Sequence, residues 1–233
     1  MCGYIRRTND SSATSDMLIK AGLEHLAGKF NEIGEPRTEH FYPAFGGNPA
    51  RQIRKLIIAG NDGPITVDAT WWFDCHQAGN ALEVGKRTTF NARNLDSPYW
   101  KGALQHNRAV VVATGLGESK VVDGKKRQYL MEGERPFLMG ALYRAFDNGC
   151  YSCAVITRDS HPRFDAYHDK AFPLFLPDNE SFVHSWLNDT NSLSLVIEDY
   201  LENPRIIVPF RVGQVRTFKD GCLSGNAELL KAD

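Results

Sequence analysis

RAVVVATGLGESKVVDGKKRQYLMEGERPFLMGALYRAF at residues 108–146, with CYSCAVITR at 150–158, reads as the strand-rich centre of the chain. Arg108 to Ser119 is a strongly apolar strand that runs into Gly115, Gly117 and Glu118. A turn is expected at Val122-Asp123-Gly124, and the cheapest reading of the basic run Lys125-Lys126-Arg127 is a solvated hairpin tip. RQYLMEG and RPFLMGALYRAF then read as paired strands joined at Gly133, and CYSCAVITR alternates as one more strand until Asp159-Ser160-His161-Pro162 breaks it.

Upstream, RQIRKLIIAG and ITVDATWWF are strands separated by the turn Asn61-Asp62-Gly63-Pro64. Ile65, Val67, Ala69 and Trp71 share one strand face and Trp72 points the other way. One of the two tryptophans is therefore expected to line a groove or a second interface. MLIKAGLEHLAGKF at 17–30 predicts a helix with Gly28 near its end, and His25 on it is a partly exposed helix residue. Glu32 to Asn48 reads as a loop, and Asp74 to Thr89 as a polar connection with room for a short helix. Ser97-Pro98 opens a further helix.

Downstream, Phe164 to His168 suggests a helical turn and FPLFL a buried strand. Asp178 caps a helix, residues 193–201 form another, and RIIVPFRV is the last clear strand. There is no internal repeat and no low-complexity linker, so residues 1–233 are expected to form a single domain. Strands outnumber helices without alternating regularly with them. The fold class expected is α+β, with a largely antiparallel, barrel-like sheet flanked by helices.

The 233 residues are 42% hydrophobic and 24% charged, with a net charge of −1. That composition is ordinary for a globular protein and gives no global electrostatic case for nucleic acid, so any such surface is a local patch. No apolar run approaches the roughly 18 residues of a spanning helix, and the N-terminus lacks a secretory apolar core. The expected location is the cytoplasm. Cys2, Cys75, Cys150, Cys153 and Cys222 are odd in number and scattered, against a disulfide framework. Cys150 and Cys153 form a CxxC without a second pair, which reads better as a strand cysteine than as a metal or redox site. No metal and no cofactor are expected.

The chemistry centres on Met1-Cys2-Gly3. A methionine before a small residue is normally trimmed, which would leave Cys2 with a thiol and a free amine on adjacent carbons. With ordinary pKa values of about 8.5 and 7.7–8.0, both have usable nucleophilic fractions at neutral pH. Together they can attack one carbonyl twice and close a thiazolidine ring. The plain alternative is the second residue of a loose surface arm. Asn91, Glu118 and His168 likewise stand where strands end or loops begin. Singly they read as a turn residue, an exposed turn charge, and half of a surface pair with Asp169.

MCG at the start, FNARN at 90–94, the apolar strand ending in a Gly-rich turn with Glu118, ITR at 156–158 and YHDKAFPLFL at 167–176 occur in that order. In that combination the chain resembles the SOS-response-associated peptidase (SRAP) family, whose members shield abasic sites in single-stranded DNA. The resemblance implies that Met1 is lost and that Cys2 condenses with the aldehyde of an abasic site to give a thiazolidine crosslink. It implies that Asn91 holds the cysteine region or the sugar, that Glu118 moves protons during Schiff-base formation, and that His168 acts on the opened sugar and assists reversal.

Arg93 and Lys170 are the candidate phosphate contacts by position, Trp71 or Trp72 could stack on a base, and Thr157 lies near the family's site. The partner implied is abasic single-stranded DNA, bound by a monomer that joins the nucleoid when on DNA. Tyr4 stands where many members have arginine, and Tyr42-Pro43-Ala44-Phe45, Trp71-Trp72, Gly117-Glu118-Ser119 and Lys170 also depart from the usual pattern. Two other readings of the same residues are an N-terminal cysteine amidohydrolase using Cys2, Asn91 and His168, and a DNA-binding relative without reactivity.

Overall fold

The computed structural model describes residues 2–9, 11–30, 38–188 and 193–233. Its frame is a hairpin of two long strands, β8 (Arg108–Val122) and β9 (Lys125–Ala145). They join through a two-residue turn in which Asp123 and Gly124 both have positive φ, 51° and 72°. This is the backbone that matches the twist of a hairpin, and it favours Asp-Gly.

Here the expectation of two strands paired at Gly133 is corrected: residues 125–145 are one strand, and both of its halves pair with β8. The chain turns a corner without breaking, because the register shifts between Ala113 and Gly115: residues 133–136 of β9 stand opposite Thr114 alone on β8, and this bulge bends β9.

Five strands close into a barrel: β8, β9, β10 (Tyr151–Arg158), β4 (Ile65–Thr70) and β3 (Gln52–Ile58), with β3 returning to β8. Pairing is antiparallel except between β10 and β4 and between β10 and the short β7 (Asn91–Ala92), which are parallel. The α+β, barrel-like expectation holds. From β8 the sheet continues to β1 (Tyr4–Thr8) and β2 (Thr38–Phe41); FPLFL forms two short strands, β11 (Phe172–Pro173) on β10 and β12 (Phe175–Leu176) on β9; from β9 the sheet continues to β13 (Phe210–Val215) and β14 (Glu228–Leu230). The last two show that residues 206–208 are not strand and that RIIVPFRV is not the end of the sheet.

The barrel strands are apolar on both faces because both are covered. Ala109, Val111 and Ala113 face the barrel interior, whereas Val110 and Val112 face the helices. Such double burial turns an alternating pattern into a continuous apolar run. On the helix side, Trp186 of α4 (Glu180–Leu187) lies over Gly140 and donates its indole N–H to the Ala109 carbonyl at 3.0 Å. A Cβ at Gly140 would meet Leu174 at 2.9 Å and Trp186 at 3.1 Å, so glycine is needed there.

Other elements differ from the sequence expectation. The single helix at 17–30 is two, α1 (Ser11–Lys20) and α2 (Glu24–Phe30), divided at Gly22 with φ 70°. A left-handed glycine just past a helix end is a common stop. The polar connection at 74–89 contains a hairpin of β5 (Cys75–Ala78) and β6 (Ala81–Val84), and β2 replaces part of the loop expected at 32–48. Residues 32–37 of that loop lie outside the described residues, and 42–48 are loop as expected. Helix α4 is capped by Asn179, whose side chain accepts from the Phe182 N–H; Asp178 pairs instead with Arg135 at 2.7 Å. The helices α3 (Pro98–His106) and α5 (Leu195–Glu202) stand where expected.

Candidate active site

Strand β1 brings the N-terminus to the barrel. Tyr4 pairs with Gly117 on β8, so the residues before it run toward Glu118 and Ser119. The strand is locked in place by a buried ion pair: Arg7 donates through Nε and a terminal nitrogen to Glu39 of β2, at 2.9 and 2.6 Å. Gly117 also permits an aromatic stack on this wall. The Tyr4 and Phe218 rings lie 4.9 Å apart and nearly parallel, and a Cβ at Gly117 would clash with both.

A cavity of about 440 Å³ opens here, with Gly3, Glu118, His168, Lys170, Phe45 and Phe218 among its walls. Cys2 lies just behind Gly3, fully buried, with its thiol against the Tyr4 carbonyl at 3.7 Å. Asn91, held beside β10 by the parallel pairing of β7, donates its side-chain amide to the Cys2 carbonyl at 3.2 Å. Its Oδ1 is buried and bonds nothing among the described residues. His168 Nδ1 lies 3.6 Å from the Glu118 carboxylate and 2.9 Å from the Ser119 carbonyl. The four residues singled out in the sequence therefore meet at one place.

Burial sets the proton affinities. It lifts the Glu118 carboxyl to about 7, an effect partly offset by the positive charge of the chain terminus. Burial lowers His168 despite its bond to the Ser119 carbonyl, leaving it a neutral imidazole at neutral pH. Burial, reinforced by Glu118, raises the Cys2 thiol. A carboxyl balanced near 7 beside a neutral imidazole can both give and take protons under physiological conditions.

The expected rim is only partly present. Lys170 lines the cavity. Arg93 does not; it is half exposed and paired with Asp159 at 3.1 Å. Thr157 is buried within β10, with its hydroxyl bonding nothing among the described residues.

The groove-lining role expected of a tryptophan is corrected. Trp71 is fully buried and Trp72 is 5% exposed, and their indole N–H groups donate to the carbonyls of Phe90 and Gly85. Strand β4 ends at Thr70, so the pleat no longer sends adjacent side chains to opposite faces, and both rings enter one core. The exposed aromatic at the cavity is instead Phe45, 48% exposed and edge-on to Trp72 and Phe90.

Phe45, Phe218 and Lys126 were not singled out as cavity residues in the sequence, since only the fold brings them there. Cys153 is a buried strand cysteine whose thiol faces the Ala69 carbonyl, in line with the reading of the CxxC. No group of metal-ligating side chains occurs among the described residues, and no helix among them is long and apolar enough to cross a membrane.

The family model described as SOS response associated peptidase (SRAP) matches residues 1–214. The chain belongs to the SRAP family. Membership associates it with DNA damage, abasic sites and DNA binding. Solved structures agree on the fold of this SRAP chain. A protein from Bordetella bronchiseptica superposes with a TM-score of 0.62 at 15% identity, covering 93% of this chain and all (100%) of that one. A phage-related protein of the same organism gives 0.60 at 20% identity, covering 93% and 95%. A Bacteroides thetaiotaomicron protein gives 0.58 at 18% identity, covering 93% of each. No curated protein matches the sequence.

Proposed function

We propose that this SRAP protein captures abasic sites in single-stranded DNA by forming a thiazolidine with the amine and thiol of Cys2 after Met1 is removed. The observation that carries this reading is the convergence of Glu118, His168 and Asn91 on Cys2 at the wall of an open cavity. While Met1 is attached, the Cys2 nitrogen is an amide and cannot add to a carbonyl. Its removal creates an amine near Glu118, whose carboxyl burial raises above the ordinary range.

In the proposed sequence the ionised Glu118 takes a proton from the Cys2 ammonium. The amine adds to the C1 aldehyde of the ring-opened sugar, and the carbinolamine that forms loses its hydroxyl as water, protonated by Glu118. The Cys2 sulfur then adds to the imine carbon, and the thiol proton passes to the nitrogen. Aminothiol and aldehyde thus become thiazolidine and one water. His168, neutral and beside Glu118, serves the sugar hydroxyl as acid or base, and Asn91 holds the Cys2 carbonyl so that amine and thiol face the same carbon.

The amidohydrolase reading is less favoured, because the Cys2 thiol is raised and bonded to a carbonyl rather than paired with a base. Phe45 is the aromatic surface available to a flanking base, and Lys170 the cation available to a phosphate. We take the active form to be a monomer.

Cys2→Ser tests the reading, since serine keeps the amine but loses the sulfur. The variant should still be trapped on abasic DNA by borohydride, through its imine, and should give no adduct that survives denaturation untreated. Stable adduct from Cys2→Ser would rule the thiazolidine out. His168→Ala should slow release of the crosslink more than it weakens DNA binding, and release at the wild-type rate would remove His168 from the chemistry.

A further inference from the structure

The cavity does not end at the reactive cluster. Its wall runs outward along β8 from Gly117 to Val121 and crosses to Lys126 on β9. We infer that this outer end of the β8–β9 hairpin is a second, non-reactive DNA subsite that grips the strand about three nucleotides from the reacting sugar. The inference rests on the reading of the cavity as the place where the sugar reacts.

Three observations support it. Val121 is 67% exposed and sits directly across from Lys126, so an apolar side chain and a cation face the cavity side by side. A solvated hairpin tip has no need of that valine, whereas a sugar or base lying on the hairpin would cover it. Residues 119–127 carry Lys120, Lys125, Lys126 and Arg127 against one acidic residue of the segment, Asp123, although the chain carries a net −1. Lys120 is held by Asp169 at 3.5 Å and Arg127 reaches Asp123 at 3.8 Å, while Lys125 and Lys126 are exposed and have no ion-pair partner among the described residues. Finally, the tight Asp123-Gly124 turn fixes the tip, so these groups are presented at set positions.

Distance gives the register. Three residues separate Glu118 from Val121, about 10 Å of extended strand. Stacked nucleotides advance about 3.4 Å each, so the tip meets the backbone about three nucleotides from the lesion. Lys170, near the reactive cluster, and Lys126, on the hairpin, would hold phosphates at the two ends of this span, with Val121 against a sugar or base. Such contacts read no sequence, which suits a protein that must bind wherever a base has been lost.

The test uses fluorescence anisotropy with oligonucleotides that carry one abasic site, and the full chain with Cys2→Ala so that no crosslink forms. Each oligonucleotide keeps about six nucleotides on one side of the site and is trimmed on the other to about two. The protein with an intact hairpin should lose about tenfold in affinity when one particular side is trimmed, and little when the other is. With Lys125, Lys126 and Arg127 all changed to glutamine, that side-specific loss should vanish. The slope of log affinity against log salt should also fall by about two, at about 0.7 per neutralised phosphate.

Lys125 and Lys126 are exposed and Arg127 gives up only one surface ion pair, so the melting temperature should change little. Equal length dependence and equal salt slope in the two proteins would overturn the inference, as would trimming effects that are the same on both sides. DNA binding with these signatures, but without adduct in the wild-type chain, would defeat the crosslinking proposal and leave the hairpin subsite standing.

Discussion

Glu118 has the most consequential environment of any single residue in the protein. Fully buried, it is lifted from 4.5 to about 7. Between those pH values the folded protein holds a proton that the unfolded chain releases. Stability contributed by Glu118 is therefore greatest below about 4.5 and is lost as pH rises through 7. Denaturant midpoints of the wild type should carry this downward slope from pH 4.5 to 7, and Glu118→Gln should flatten it. A slope retained in the variant would place the proton elsewhere.

The same substitution should slow adduct formation by about 10²-fold or more, because glutamine cannot relay the proton. Glu118, Cys2, Asn91 and His168 were legible in the sequence through their order. Trp71 and Trp72 were not, since where β4 stops decides which way each ring points. Phe45 and Phe218 were not either, because their place depends on contacts distant in sequence.

Among the elements β1 matters most, since Cys2 lies two residues ahead of its first residue and the strand is short. Its anchor is Arg7, fully buried between the Phe30 and Phe41 rings and bonded to Glu39. Glu39→Gln would leave the guanidinium buried without a full counter-charge, a change that typically costs about 3–5 kcal/mol. Chemical denaturation should show a loss of that size, and a loss below about 1 kcal/mol would mean that water reaches Arg7. Adduct formation should fall with it, since the strand that positions the nucleophile loosens.

The hairpin β8–β9 was legible in outline, with its turn placed correctly. Its continuity through Gly133 was not, because a strand that bends while pairing on the same partner looks like two strands in one dimension. The apolar run at 108–113 showed burial, but its two-sided burial needed the helices in place.

For the whole molecule, the closed barrel and its extensions join the first strand to the last. We propose on that ground that residues 1–233 are one domain, which predicts a single calorimetric transition with equal calorimetric and van't Hoff enthalpies. Two resolved transitions would divide it. The α+β class and the barrel-like sheet were readable from the excess of strands and the lack of regular alternation with helices. Barrel closure through β3 and β8 was not, because it joins segments about 50 residues apart with no pattern to mark the partner.

The central claim is that Cys2, once it is the first residue, closes a ring on an abasic aldehyde. Intact-mass analysis of the wild-type protein after incubation with abasic single-stranded DNA, under denaturing conditions, tests it most directly. One adduct is expected, with the mass of the chain without Met1 plus the oligonucleotide minus one water, and none with Cys2→Ala. An adduct that retains Met1, or one that persists undiminished in Cys2→Ala, would contradict it.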